Sequence, residues 1–381
     1  MNIAILDTQN FYDFPIGGQL TSIFYFLRYV SEVQDTFNNF ILIGITTDKN
    51  DKLGEEKILL INNKEIRFIP VAYIEKDQKD PKTSFRKAFL MGLVKFRKII
   101  KKKKIDIFYI QSYEAFYPVF FLIKHEKIVF FSHGNFIDLN NFIRFNNSNL
   151  VKCILKKGIQ FVLRFSNYIL VLDNKTKNDY LLYNKNVIKV SNSIDTSLYK
   201  KTSIKANKEK VQIIFVGRLS KVKNIEEIIL SFKILDKSRY NLNIIGEGEE
   251  NDNLNKLITE NNLEEHVHLL GSKNKIELKK LYENSDILIL NSYSEGFPMV
   301  LLEALSSSIP IISTNVGCIN EILVEGYNGE FTDSTAKNIA KKINKIACKL
   351  DSYSINAEKS VEKFSYKTIN SEIYNLLFRE M

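Results

Sequence analysis

Twice along this chain, short runs of Ile, Val, Leu and Phe alternate with longer amphipathic stretches, and few folds accommodate that pattern. Such runs read as buried parallel strands, and the segments between them as crossover helices. The first series predicts strands near Asn2–Asp7, Phe40–Ile45, Ile66–Val71, Asp106–Ile110, Lys127–Phe131 and Tyr168–Leu172. A second series predicts Val211–Val216, Leu242–Ile245, Val267–Leu270, Ile287–Leu290 and Pro310–Ser313, with helices such as Ile225–Leu235, Asp252–Asn261 and Lys275–Asn284 between them. The class is α/β, with two Rossmann-like units in tandem. Between them Ser191 to Glu209 is polar and lysine-rich, as an interdomain connection would be, which puts the boundary near residue 195. The expected domains are 1–195 and 196–360. From Phe364 to Glu380, Ile369, Ile373, Leu376 and Leu377 share one side behind an N-cap at Ser365, so 361–381 is expected to be a helix closing back toward the first domain.

A chain of 381 residues, 45% hydrophobic and 26% charged, has the length for two domains and is too apolar for disorder. Its longest nearly uncharged stretch, Ile107 to Ile123, is broken by Gln111, Ser112 and Glu114, so no bilayer-spanning helix is expected. The N-terminal apolar run meets Asp7 at once and reads as a strand rather than a secretory signal, which points to the cytoplasm. Cys153, Cys318 and Cys348 are too widely spaced for a zinc site or a disulfide framework and read as buried small hydrophobes. Of the 54 Lys and Arg, 29 fall in residues 1–190 against 18 of the 44 acidic residues, so the excess of positive charge lies wholly in the first half. A basic surface attracts nucleic acid, anionic lipid or an anionic substrate, and charge alone does not choose among them.

Several strand exits carry candidate chemistry. Ser294-Glu295-Gly296-Phe297-Pro298 leads from a strand into a helix containing Glu303; the free N–H groups of such a helix start bind anions, and the two carboxylates accept hydrogen bonds from sugar hydroxyls. An ordinary helix start with two solvated glutamates would look the same. Gly217-Arg218 with Lys223 follows another strand and reads as a diphosphate clamp, with Gly246-Glu247-Gly248 on the same sheet edge. In the first half, Gly17-Gly18 opens a helix and permits close backbone approach to a phosphate. His133 stands at a strand exit, where it can bond a hydroxyl or serve as a packed residue. His266 and His268 point to opposite faces of one strand and cannot share a metal.

In this order, Gly17-Gly18, His133, Gly217-Arg218 with Lys223, Gly246-Glu247-Gly248, Leu270-Gly271, and Glu295 and Glu303 seven residues apart resemble glycosyltransferase family 4 of the bacterial surface-polysaccharide type. The likeness is strongest from Val211 to Gly329. It implies a GT-B fold, with the two domains facing across a cleft, and a retaining, metal-independent hexosyltransferase. By that resemblance the catalytic set is Glu295, His133, Arg218 and Lys223. The donor-binding set is Gly17, Gly18, Gly217, Arg218, Lys223, Gly246, Gly248, Glu295, Gly296, Phe297, Pro298 and Glu303. Arg218 and Lys223 would hold the diphosphate, Glu303 the ribose, and Glu295 with Gly296, Phe297 and Pro298 the transferred sugar and its phosphate; His133 would contact a sugar hydroxyl. The implied partners are a nucleotide-sugar donor, most simply a uridine diphosphate sugar, and a lipid-linked or growing glycan of the capsule or O-antigen kind. No cofactor is implied. Asp173 departs from the family, whose corresponding strand usually ends in serine.

Ser84 to Lys104 and the lysines Lys152, Lys156 and Lys157 with Arg164 suit either an anionic membrane surface or the solvated faces of Rossmann helices. A nucleotide-sugar epimerase of the same fold and a non-catalytic partner of another transferase are the alternatives. Nucleic-acid binding lacks a supporting motif.

Overall fold

The computed structural model describes residues 1–14, 18–34, 37–75, 84–123, 125–137, 149–199 and 210–378. The chain forms two compact units, Met1–Asn192 with Lys367–Met381, and Ser193–Tyr366.

In the first unit, β1 (Ile3–Leu6), β2 (Phe40–Thr46), β3 (Lys57–Ile61), β4 (Lys64–Tyr73), β5 (Ile107–Ile110), β6 (Lys127–Ser132), β7 (Tyr168–Val171) and β8 (Val187–Lys189) form one sheet in the order β3-β4-β2-β1-β5-β6-β7-β8. All neighbours run parallel except β3 and β4. Helices α1 (Gly18–Val33), α2 (Phe85–Lys102), α3 (Tyr113–Leu122), α4 (Asn149–Phe165) and α5 (Asn174–Leu181) make the crossovers. Every residue of β1, β2 and β5 is buried, which is why these strands read as continuous apolar runs rather than alternating ones. Sequence reasoning missed β3. Its exposure alternates, and it turns into β4 through Asn62 and Asn63, whose φ values of 49° and 60° make the two-residue turn that Asn favours.

In the second unit, β9 (Val211–Val216), β10 (Tyr240–Ile245), β11 (Val267–Leu269), β12 (Ile287–Leu290), β13 (Ile311–Ser313) and β14 (Gly329–Phe331) form an all-parallel sheet in the order β11-β10-β9-β12-β13-β14. Helices α6 (Ile225–Ser231), α7 (Asn251–Glu260), α8 (Lys275–Glu283), α9 (Met299–Ser306), α10 (Ile319–Ile322), α11 (Ala336–Ala347) and α12 (Leu350–Val361) belong to it, and α13 (Tyr366–Phe378) follows. The strand order reverses between β9 and β12 here and between β1 and β5 in the first unit. At such a switch point the loops leave in opposite directions and open a crevice at the carboxyl ends of the strands.

Two expectations need correction. The start of the connection is not a solvated linker: Asn192, Ser193, Ile194 and Asp195 are buried, because Ile194 pairs with the returning chain through Ile194 N–Phe364 O at 3.0 Å and Tyr366 N–Ile194 O at 2.8 Å, whereas Ser197 and Leu198 are exposed. Of the cysteines only Cys318 is buried; Cys153 is exposed on α4 and Cys348 is exposed in the turn after α11. Residues 200–209 of the connection, Pro15, Ile16 and Gly17, and Glu380 lie outside the described residues.

Candidate active site

The exits of β9, β10, β12 and β13 form one stitched surface in the second unit. Gly217 leaves β9, its N–H bonded to Ile245 O at 3.0 Å, and Leu219 N bonds to Glu247 O at 2.9 Å. Gly246 has φ +139°, and a Cβ there would stand 1.8 Å from Gly217 O; at Gly248 it would stand 2.1 Å from Leu219 O. Only glycine lets these two loops lie against each other. From β12, Tyr293 N reaches Val222 O at 2.8 Å, and buried Asn291 bonds Asn224 O at 3.1 Å and Ser334 O at 3.3 Å, fixing the start of α6.

Lys223 and Glu295 meet in this frame, Nζ to Oε1 at 2.5 Å, with side chains only 20% and 10% exposed. Ser292 also donates to Glu295 Oε1. Arg218 is placed differently: its side chain is 62% exposed and its guanidinium bonds Glu249 Oε2 at 3.0 and 3.2 Å. Gly296 is exposed, Phe297 is buried against Phe364, and Pro298 precedes α9, whose first turn has no side-chain cap. Gly317, which sequence reasoning missed, supports this turn. A Cβ on it would lie 2.2 Å from Glu295 O, and its neighbour Cys318 donates its N–H to Gly296 O at 3.2 Å.

Glu303 sits on α9, and its carboxylate accepts from Tyr282 Oη at 2.9 Å and Tyr199 Oη at 3.3 Å. Burial raises its pKa above the usual carboxylate range against those two hydrogen bonds. A carboxylate offers about four acceptor positions, so two remain for a ligand's hydroxyls. Neither tyrosine was singled out from sequence: buried Tyr282 looks like any aromatic core residue of α8.

In the first unit, the exits of β1, β5 and β6 carry a second polar group. Asp7 follows β1, is 1% exposed, and accepts from Gln19 Nε2 at 2.9 and 2.8 Å, from Thr8 N at 2.7 Å and from Gln9 Nε2. Burial pushes its pKa up to about 6. Gln19 also donates to Gln111 O at 3.2 Å, and Gln111 Oε1 lies 2.7 Å from His133 Nε2. The His133 ring packs on Phe131 at 4.3 Å between centroids, and burial lowers its pKa to about 4. Gly18 is exposed at the first position of α1. Asp173 caps α5 by accepting from Thr176 N at 2.7 Å and Thr176 Oγ1 at 2.6 Å, a structural task that accounts for a carboxylate there.

Comparison with known proteins bears on both units. Residues 199–360 match the family model described as glycosyl transferases group 1. The O-antigen biosynthesis glycosyltransferase WbnH of Escherichia coli is 30% identical over 279 residues, 72% of this chain and 77% of that protein.

The chain belongs to the group 1 glycosyltransferases.

Two uncharacterized glycosyltransferases of Methanocaldococcus jannaschii are each 33% identical, over stretches spanning 36% and 46% of their own length. Sucrose-phosphate synthase from Thermosynechococcus elongatus superposes with a TM-score of 0.78 at 17% identity, and Anabaena HepE in complex with UDP-glucose with 0.72 at 18%, each over 99% of both chains. These neighbours establish the GT-B fold for this group 1 member, as two parallel-sheet Rossmann-like domains.

Proposed function

We propose that the protein is a retaining glycosyltransferase that moves a hexose or N-acetylhexosamine from a nucleotide donor, most simply a UDP-sugar, to a lipid-linked or growing surface glycan. The reading rests on the Lys223–Glu295 pair at the switch point of the second unit, beside the uncapped start of α9 and the carboxylate of Glu303. Donor diphosphate at this edge replaces Glu295 as the partner of Lys223, and Arg218 turns from its exposed bond with Glu249 to a second phosphate oxygen. Cleavage of the sugar C1–O bond leaves negative charge on the nucleotide, and the two cations neutralise it; the reading is metal-independent, with no cofactor. The acceptor hydroxyl oxygen bonds C1 on the same face while its proton passes to the departing phosphate oxygen. Glu303 takes the ribose hydroxyls, Glu295 and the Gly296–Pro298 backbone hold the sugar, and His133 contacts a sugar hydroxyl. The glycan acceptor is suggested by relatives named for O-antigen and capsular polysaccharide biosynthesis.

A membrane-facing surface on the first unit fits a lipid-linked acceptor and a location on the inner face of the plasma membrane. Among the described residues no helix is long and apolar enough to cross a membrane. Helices α2, α3 and α4 pack side by side. Phe89, Leu93 and Ile100 point into the core, but Met91, Phe121, Leu122, Ile154 and Phe165 are 41–63% exposed, among exposed Lys95, Lys98, Lys101, Lys156 and Lys157. Exposed apolar side chains on helices that also expose lysines suit an anionic lipid surface.

The test is incubation of the purified protein with UDP-sugars and a lipid-linked glycan, with and without a chelator. The expected product keeps the donor's anomeric configuration and forms at an unchanged rate in the chelator. Inversion would contradict retention, a lost rate would contradict metal independence, and an altered sugar nucleotide without transfer would favour the epimerase.

A further inference from the structure

We propose that Gln111 is a positioning residue for His133: its side-chain oxygen holds the ring in the Nε2–H tautomer, so that the bare Nδ1 is the nitrogen presented to a substrate hydroxyl. This rests on the reading of His133 as a sugar contact.

The geometry has three parts. Gln111 is 4% exposed and lies at the exit of β5, beside the switch point, with Oε1 2.7 Å from His133 Nε2. In this orientation the amide turns its oxygen to the ring, and because an amide oxygen only accepts, the ring nitrogen facing it carries the proton. Second, Gln111 is itself anchored, because Gln19 Nε2 bridges its main-chain oxygen at 3.2 Å and both carboxylate oxygens of Asp7 at 2.8 and 2.9 Å. Loops from β1, β5 and β6 and the first turn of α1 are thereby joined through side chains. Third, Gln111 Nε2 has no partner of normal hydrogen-bond geometry, the buried Tyr109 hydroxyl being its neighbour. One side of the amide is therefore committed to His133, and the other retains an N–H.

A neutral ring that donates its Nε2–H to Gln111 can only accept at its bare Nδ1. It selects a hydroxyl directed toward it and turns that oxygen's lone pairs away, fixing the rotation of the sugar as well as its place. Burial keeps the ring uncharged near neutral pH, consistent with a partner that brings no compensating negative charge.

The chain has four histidines, which makes the ring directly observable. Two-bond proton–nitrogen spectra of histidine-labelled protein, with His133→Asn identifying the signals, are expected to show a protonated Nε2 and a bare Nδ1 at pH 7. In Gln111→Met the single tautomer is expected to give way to a mixture, and kcat to fall about tenfold with the donor KM within about twofold. Gln111→Glu keeps the acceptor, so the Nε2–H tautomer is expected to persist while the added charge raises the pKa of His133. An Nδ1–H ring in the wild-type protein, or an unchanged tautomer in Gln111→Met, would overturn the proposal. The spectra decide it independently of turnover; failure of the wild-type protein to transfer any sugar would count against the functional reading alone.

Discussion

The two sheet edges solve different electrostatic problems. At the exits of β9, β10 and β12 the second unit gathers formal charges, Lys223 with Glu295 and Arg218 with Glu249, on loops pressed together by glycine. At the exits of β1, β5 and β6 the first unit gathers neutral amides, a histidine kept uncharged, and a carboxylate whose burial favours its protonated form. In the proposed function the first arrangement takes the diphosphate and the second takes hydroxyls. Similar strand topology thus carries two kinds of polar chemistry, and the side chains at the switch point separate them.

The largest expected effect is on charge at the second unit. Lys223→Ala should lower the transfer rate by about 100-fold or more, since about 3 kcal/mol of transition-state stabilisation is typical for one such donor. An initial-rate assay at saturating donor checks it, and a loss below about threefold would break the contrast between the edges. Next comes packing between the loops. Gly246→Ala should destabilise the protein by more than about 2 kcal/mol in urea unfolding, because both φ and the Gly217 carbonyl oppose a Cβ. Gly271→Ala, with φ +67° but open space around it, should cost about 1 kcal/mol.

The first unit should show its character in pH dependence. The pKa of His133 falls from 6.5 to about 4, so the unfolded chain binds the extra proton between those values and this contribution to stability is lost as pH drops. For Asp7 the pKa rises from 3.8 to about 6, so the folded chain binds the extra proton and stability falls as pH rises through that window. Each amounts to about 3 kcal/mol, and they oppose each other between about pH 4 and 6. These two contributions should therefore nearly cancel in the wild type, whereas His133→Phe should lose stability, relative to wild type, as pH rises from 4 to 6. Urea unfolding across that range reads the difference; parallel curves would contradict the assignment. The smallest effect is expected at Arg218: removing its exposed bond to Glu249 should change stability by about 0.5 kcal/mol or less.

What the sequence made legible follows the same division. Strands buried on both faces, such as Phe40–Thr46 and Val211–Val216, stand out as apolar runs, and Gly217, Gly246, Glu295 and Glu303 stand out because glycine and charge at strand exits are conspicuous. Edge strands did not stand out: Lys57–Ile61 is five residues long with Ile58 and Leu60 turned to solvent, and Gly329–Phe331 is three residues long. Gln111, Gln19 and Tyr282 were missed because an amide or a tyrosine near a strand has no distinctive spacing; its meaning lies in the partner that folding brings to it. Gln111 had one readable sign, its place directly after a strand beside the switch point. The cysteines were misread for the opposite reason, since a residue type that is usually buried says little about which face of a helix carries it.

The most direct measurement is a thermal-shift screen of the protein against UDP, GDP, ADP, CMP and their common sugar conjugates, with Lys223→Ala and Glu303→Ala run alongside. A ligand that binds only the folded state raises its melting temperature. The account predicts selective stabilisation by uridine nucleotides, abolished in both variants. Stabilisation by no nucleotide, or an equal shift in wild type and both variants, would contradict the donor site at the second unit.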